Sequence, residues 1–283
     1  MISNIDNLDR LDAMRAQEKT IRRFNYLKGD TNEINEACRK VMVTWTTTAQ
    51  QSLSLSPDIV WIAMSFVDRY LGSGMGDSQE VLMSSYKFQL AVVTAFYTAI
   101  KIYEPVAIGV NVMVQICRGE YHHDEIVEME KEMLSSLEWR VSVNTPMDFA
   151  RYLLELLPEH LSSHESDCLL EICQKYVDYA VTDIYFSCCT PSVVGISCLA
   201  SSLADSNHFS QSAKQALWSR LSDACRFDLF PEEVIAARQQ LLLHAPLCEP
   251  STVSKDCSMS QRTVGQAKTS LFGRSITSVF DLF

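Results

Sequence analysis

The chain has 283 residues, room for about two ordinary domains, and its 24 Lys and Arg against 35 Asp and Glu leave a formal charge of −11. A field of that sign repels phosphate backbones and acidic membranes, which argues against a nucleic-acid binder. With 47% hydrophobic and 21% charged residues, nine Gly and eight Pro, the composition suits a helical globular chain better than a turn-rich β protein.

Leu8, Leu11, Met14 and Ile21 form a thin apolar stripe that predicts a surface helix within 7–27. Ala37, Cys38, Val41, Met42 and Trp45 predict a second helix over 33–53. Ser56-Pro57-Asp58 is a helix start, since the serine oxygen can accept a free amide and proline lacks the amide it would leave unpaired. This third helix runs to Leu71, where Gly72 and Gly74 stop it. Residues 85–103 are apolar on nearly every face (Phe88, Leu90, Val92, Phe96, Ile100), so this helix is expected at the centre of a first unit. Two more helices follow at 107–117 and 123–137, and Thr145-Pro146 closes the unit.

A second unit repeats the plan, with helices at 146–157, 165–184, 191–203, 212–224 and 231–244. Tyr176-Val177-Asp178-Tyr179 echoes Phe66-Val67-Asp68-Arg69-Tyr70, each in a long helix that precedes a very apolar one. The expected architecture is all-α: an N-terminal helix and arm over 1–29, then two five-helix units over 30–145 and 146–245. Residues 246–283 turn to Ser, Thr, Gln and Lys without periodicity and read as a disordered tail, in which only Val279, Phe280, Leu282 and Phe283 look able to dock. The ten cysteines include no Cys-x-x-Cys pair and sit mostly in apolar runs, so reduced intracellular thiols are expected, with no metal and no cofactor. The N-terminus lacks the basic flank and apolar run of a signal sequence, and the chain reads as soluble.

Four charges stand inside the most apolar helices: Arg39, Asp68, Lys101 and Glu130. A desolvated carboxylate among Met64, Phe66, Val67 and Leu71 is costly unless paired, so Arg39 on the preceding helix is the expected partner of Asp68. Lys101 closes the all-apolar helix, and Glu130 shares a stripe with Ile126, Met133, Leu134 and Leu137. These two either meet each other or face a partner protein.

Cys38-Arg39-Lys40-Val41-Met42-Val43-Thr44-Trp45 resembles the segment that opens the cyclin box, and Phe66-Val67-Asp68-Arg69-Tyr70-Leu71 resembles its second-helix motif. Gln89-Leu90 through Ala99-Ile100-Lys101 is similar to its central helix, and Met129-Glu130 with Leu137-Glu138-Trp139 to its fifth. Each piece alone is weak, but the set Arg39, Asp68, Leu90, Lys101 and Glu130 at suitable spacing is specific, and the likeness covers roughly residues 8–245. Asn144-Thr145-Pro146-Met147-Asp148-Phe149 and Pro191-Ser192-Val193-Val194 look most like D-type cyclins.

The resemblance implies a regulatory subunit, not an enzyme: a protein that binds a cyclin-dependent serine/threonine kinase, presses on its mobile helix and activation segment, and so drives cell division from nucleus or cytoplasm. It places Lys101 and Glu130 against the kinase, with Ile102, Leu134, Trp139 and Val141 as the apolar seat around them. Arg39 and Asp68 would lock the first box, and Leu90 would be core. A family patch that docks Arg-x-Leu motifs of substrates or inhibitors would fall on Cys38, Val41, Trp45, Phe88 and Gln89. Here the sequence departs from the family, because Thr48 and Arg118 stand where acidic receptors of the arginine are expected. No Arg-x-x-Leu signal occurs in the N-terminal arm and no Leu-x-Cys-x-Glu motif anywhere, while Arg226-Phe227-Asp228-Leu229 lies within the second unit.

Three rivals remain. A transcription-initiation protein with two cyclin folds would need a basic face. An enzyme could use His122, His123 and Cys117 with Asp124, Glu125 and Glu128, although no further ligand or orienting group is spaced to complete a site. A cyclin-like partner of a transcription-regulating kinase differs only in its partner.

Overall fold

The computed structural model describes residues 4–21, 23–29, 33–105, 108–157 and 161–244. The reading of 246–283 as a disordered tail, with docking at Val279, Phe280, Leu282 and Phe283, lies outside them. All regular structure among the described residues is helical, and no helix there is long and apolar enough to cross a membrane. Helix α1 (Asn4–Glu18) and a 3-10 turn (Tyr26–Lys28) precede a first group: α2 (Glu36–Leu53), α3 (Asp58–Ser73), short α4 (Ser78–Leu82), α5 (Ser85–Tyr103), α6 (Val110–Ile116) and α7 (His123–Ser136). A second group follows: α8 (Pro146–Glu155), α9 (Ser163–Ala180), short α10 (Ile184–Ser187), α11 (Pro191–Asp205), α12 (Gln211–Ala224) and α13 (Glu232–His244).

Local chemistry sets the boundaries. Asn35 accepts the amides of Ala37 and Cys38 at 2.9 and 3.1 Å to start α2, and Ser84 accepts that of Lys87 at 3.3 Å to start α5. At Thr145 a capping box opens α8, with Asp148 N–H donating to the threonine hydroxyl at 3.1 Å and Thr145 N–H to the Asp148 carboxylate at 2.8 Å.

The two most apolar helices are the two centres. Phe88, Ala91, Val92, Val93, Phe96 and Ile100 on α5 are wholly buried between α3, α4 and α7. Helix α11 is enclosed by α8, α9 and α13, and Gly195 on it passes so close to α8 that an added Cβ would lie 2.4 Å from the Pro146 carbonyl oxygen. Only glycine permits that approach.

The structure departs from the sequence reading at three places. Helix α1 ends at Glu18 instead of running toward Leu27, because the Glu18 carboxylate turns inward and accepts the Ser192 amide at 3.0 Å and the Ser192 hydroxyl. The chain beyond it then bends, and Asn25 accepts the Leu27 amide at 3.0 Å to set the 3-10 turn. The short helices α4 and α10 are too brief to show a period. The stretch 165–184 splits at Ala180, leaving the Val181 carbonyl free to accept a side-chain donor.

Candidate partner interface

Arg39 and Asp68 join α2 to α3. The guanidinium is 1% exposed and donates from Nη2 to Asp68 Oδ2 at 2.9 Å and from Nε to Oδ1 at 3.2 Å. Tyr26 donates its hydroxyl to the same Oδ1 at 2.7 Å, so the 3-10 turn is tied in as well. Arg39 Nη1 reaches across to the Val181 carbonyl at 2.6 Å, a contact to the second group that pairing of charges alone does not foretell. Burial works to lower the Arg39 pKa, but the adjacent Asp68 carboxylate outweighs it and holds the guanidinium firmly protonated. Leu90 is buried in the core as expected.

Lys101 and Glu130 meet each other across α5 and α7. The ammonium lies 3.0 Å from Glu130 Oε2 and 3.2 Å from Oε1, and Thr98 donates its hydroxyl to Oε1 at 3.1 Å. The Glu130 side chain is 11% exposed and that of Lys101 48%, so the pair is closed on the carboxylate side and open on the ammonium side. Lys101 also stands 5.6 Å from the centre of the Tyr97 ring. An ammonium has three donors, and one that faces outward remains able to bond a partner's carbonyl.

Apolar surface adjoins this pair. Ile102 and Trp139 are 42% and 67% exposed, while Leu134 and Val141 are half-buried. Trp139 is thrust outward by the turn that ends α7: its amide donates to the Leu134 carbonyl at 2.9 Å, and both Glu138 and Trp139 are left-handed, with φ of 53° and 59°. Non-glycine residues in that region carry about 1 kcal/mol of strain or more each. Tyr103, absent from the sequence-derived set, holds the turn against α5 by donating to the Val141 carbonyl at 2.8 Å and accepting the Val143 amide at 2.7 Å. Its place at the end of the predicted helix, next to Ile102, was the signal that could have found it.

The docking patch is placed differently from expectation. Cys38 and Val41 keep partial exposure, but Trp45 and Phe88 are fully buried and Gln89 is 7% exposed. Trp45 packs edge-on to Phe96 at 5.9 Å, and Gln89 accepts the Tyr121 hydroxyl at 3.3 Å. These three work as core, so the five residues do not make an open apolar surface. The Thr48 hydroxyl turns back to the Thr44 carbonyl at 2.8 Å, and Arg118 is an exposed left-handed residue after α6.

The residues of the enzyme reading hold local structure. The His122 amide donates to Glu125 at 2.8 Å at the start of α7, and His123 touches Asp124 at 3.1 Å. Burial pushes the Cys117 thiol up to about 12, which keeps it from acting as a thiolate. Among the described residues no group of three His, Cys, Asp or Glu side chains could hold a metal ion. In the Arg226–Leu229 segment, Leu229 is buried and Arg226 pairs with Asp9 and Asp12 of α1 at 2.7 and 3.2 Å.

Residues 9–142 match the family model for the cyclin N-terminal domain. Over this stretch, just under half of its length, the chain has a cyclin N-terminal domain. The chain is 25% identical over 255 residues to the G1/S-specific cyclin-D1 of Danio rerio, an alignment covering 90% of this chain and 80% of that protein. It is 31% identical over 146 residues to the G2/mitotic-specific cyclin-2 of Antirrhinum majus, covering 51% of this chain but only 31% of the relative, so the chain spans about a third of the mitotic protein's length. The crystal structure of a viral cyclin from herpesvirus saimiri has the same fold, with a TM-score of 0.66 at 17% identity over 83% of this chain and 97% of the viral one.

Proposed function

We propose that this chain is a cyclin, the non-catalytic regulatory subunit of a cyclin-dependent serine/threonine kinase, that it activates that kinase allosterically, and that it acts in cell-cycle control in nucleus or cytoplasm. The observation that carries the reading is the Lys101–Glu130 pair: a carboxylate fixed by Thr98 and an ammonium half open to solvent, beside exposed Ile102 and Trp139. Interfaces draw most of their energy from a few aromatic or aliphatic anchors that surround desolvated polar groups, and this arrangement has both. Leu134 and Val141 complete the seat, with Tyr103 as the brace beneath it.

A D-type role in the first gap phase is the finer reading. It is supported by the likeness to cyclin-D1 running through 90% of the chain, where that to the mitotic cyclin-2 covers 51%. With Trp45, Phe88 and Gln89 packed inside, Arg-x-Leu docking is not expected to select substrates or inhibitors. Selection would rest on the kinase groove or on other docking sequences. The test is reconstitution of the purified chain with each of a panel of cyclin-dependent kinases, read as phosphorylation of a peptide substrate. Activation of a cell-cycle kinase supports the proposal, and activation of a transcription-regulating kinase alone would replace it with the rival assignment.

A further inference from the structure

A chain of −11 charge nevertheless gathers poorly compensated arginines in one cleft. Two adjoining depressions share Phe24 and Arg69 as lining, and Arg23 and Arg140 complete the wall with Ser73. Arg69 donates Nη2 to the Arg140 carbonyl at 2.7 Å, but its Nη1 is buried without an acceptor, as is Nε of Arg23. Neither Arg23 nor Arg69 forms an ion pair among the described residues, whereas Arg39, Arg140, Arg151 and Arg226 all do.

The carboxylates that could neutralise the cleft are already engaged. Asp68, itself part of the lining, is held by Arg39 and Tyr26, and Glu18 by Ser192, while Glu138 at the rim pairs with Arg140 at 2.9 Å and leaves Arg23 and Arg69 without an ion pair among the described residues. Burial, followed by the charges of Arg23 and Arg140, lowers the Arg69 pKa to about 10. Burial also lowers that of Arg23, with the Glu18 and Asp68 carboxylates opposing it only in part. Buried donors without acceptors and like charges held together are unfavourable unless something else is gained.

A dianion at the mouth of the cleft would supply the missing counter-charge. A carboxylate brings a single charge and two oxygens, whereas a phosphate monoester brings close to two charges and three strong acceptors. Guanidinium forks take phosphate oxygens in pairs, and three of them, besides the Asp68-bound Arg39, line this cleft beside the exposed Phe24 ring.

We propose that the cleft between the end of α3 and the turn after α7 binds a phosphate monoester, either on a peptide side chain or as a small free phosphate. The turn is the one that carries Trp139, so occupancy would stiffen the backbone beside the exposed tryptophan.

The test titrates the whole chain, without any kinase, with inorganic phosphate, a phosphoserine peptide and the same peptide unphosphorylated, at near-physiological salt. Phosphopeptide binding at least about tenfold tighter than the unphosphorylated peptide assigns a peptide source, and binding of inorganic phosphate as tight as the phosphopeptide assigns a free one. Arg23→Gln and Arg140→Gln should each weaken binding about tenfold with an unchanged melting midpoint, so the answer does not depend on Arg69→Gln, which also removes the bond to the Arg140 carbonyl. Absence of binding by either phosphate probe, or full affinity in a folded Arg23→Gln, Arg140→Gln double variant, overturns the site. Because no kinase is present, failure here leaves the activation reading untouched.

Discussion

Arg39 on α2 and Asp68 on α3 are joined by two hydrogen bonds, and the same guanidinium caps the Val181 carbonyl in the second helical group. One side chain therefore ties together two helices of the first group and the end of α9. Arg39→Ala removes all three bonds and leaves Asp68 with only the Tyr26 hydroxyl. We expect a loss of about 3 to 5 kcal/mol, because a buried carboxylate would lack its charge partner. Chemical denaturation checks this, and an unchanged midpoint would mean that Asp68 is compensated by another route.

Glu18 gives a pH signature. Burial raises its pKa above the ordinary 4.5, and the bonds from Ser192 offset that only in part. A carboxylate whose folded pKa is raised favours the folded state when protonated, so its contribution is full below 4.5 and is lost as the pH rises through the folded value. Glu18→Gln should remove that dependence over this window. Stability measured against pH in both proteins tests it, and identical slopes would show that Glu18 stays hydrated.

Trp139 separates folding from binding. Its left-handed backbone is strained and its side chain is 67% exposed, so Trp139→Gly should leave stability equal or raise it by up to about 1 kcal/mol. The same change should weaken kinase binding by about 2 kcal/mol or more if the ring is an anchor. A variant that is destabilised and binds normally would place the indole in the fold and not at an interface.

Trp45 is expected to behave in the opposite way. It is wholly buried against Phe96, so Trp45→Ala should cost about 3 to 5 kcal/mol of stability. An Arg-x-Leu peptide should bind only weakly to the unaltered chain. Tight binding of that peptide would show that the α2 and α5 segments open in solution.

How far the sequence was legible depends on which interactions are local. Helix α5 and the start at Pro146 follow from apolar pattern and local chemistry within a few residues, and α5 has the limits expected of it, whereas the caps at Asn35 and Ser84 were not picked out and α2 begins at Glu36 instead of 33. Arg39 with Asp68 was legible because buried opposite charges on neighbouring helices must pair. The contact of Arg39 to Val181 was not, since it depends on where α9 stops, 142 positions away in the chain. The end of α1 was misread for a similar reason, because Ser192 lies 174 positions beyond Glu18. Trp45 and Phe88 were assigned to a surface through family resemblance, whereas their apolar helical spacing alone marked them as core.

The central claim is activation of a kinase through the Lys101–Glu130 face, and its most direct measurement is kinase activity against cyclin concentration for the unaltered chain and for Glu130→Lys. Reversal of the charge places two ammonium groups together beside Thr98 and removes the half-open pair, with an expected loss of about 2 to 5 kcal/mol of binding. The unaltered chain is expected to activate a cyclin-dependent kinase in a saturable manner, and the folded variant to fail to do so at matched concentration. Full activation by a folded Glu130→Lys chain would contradict it.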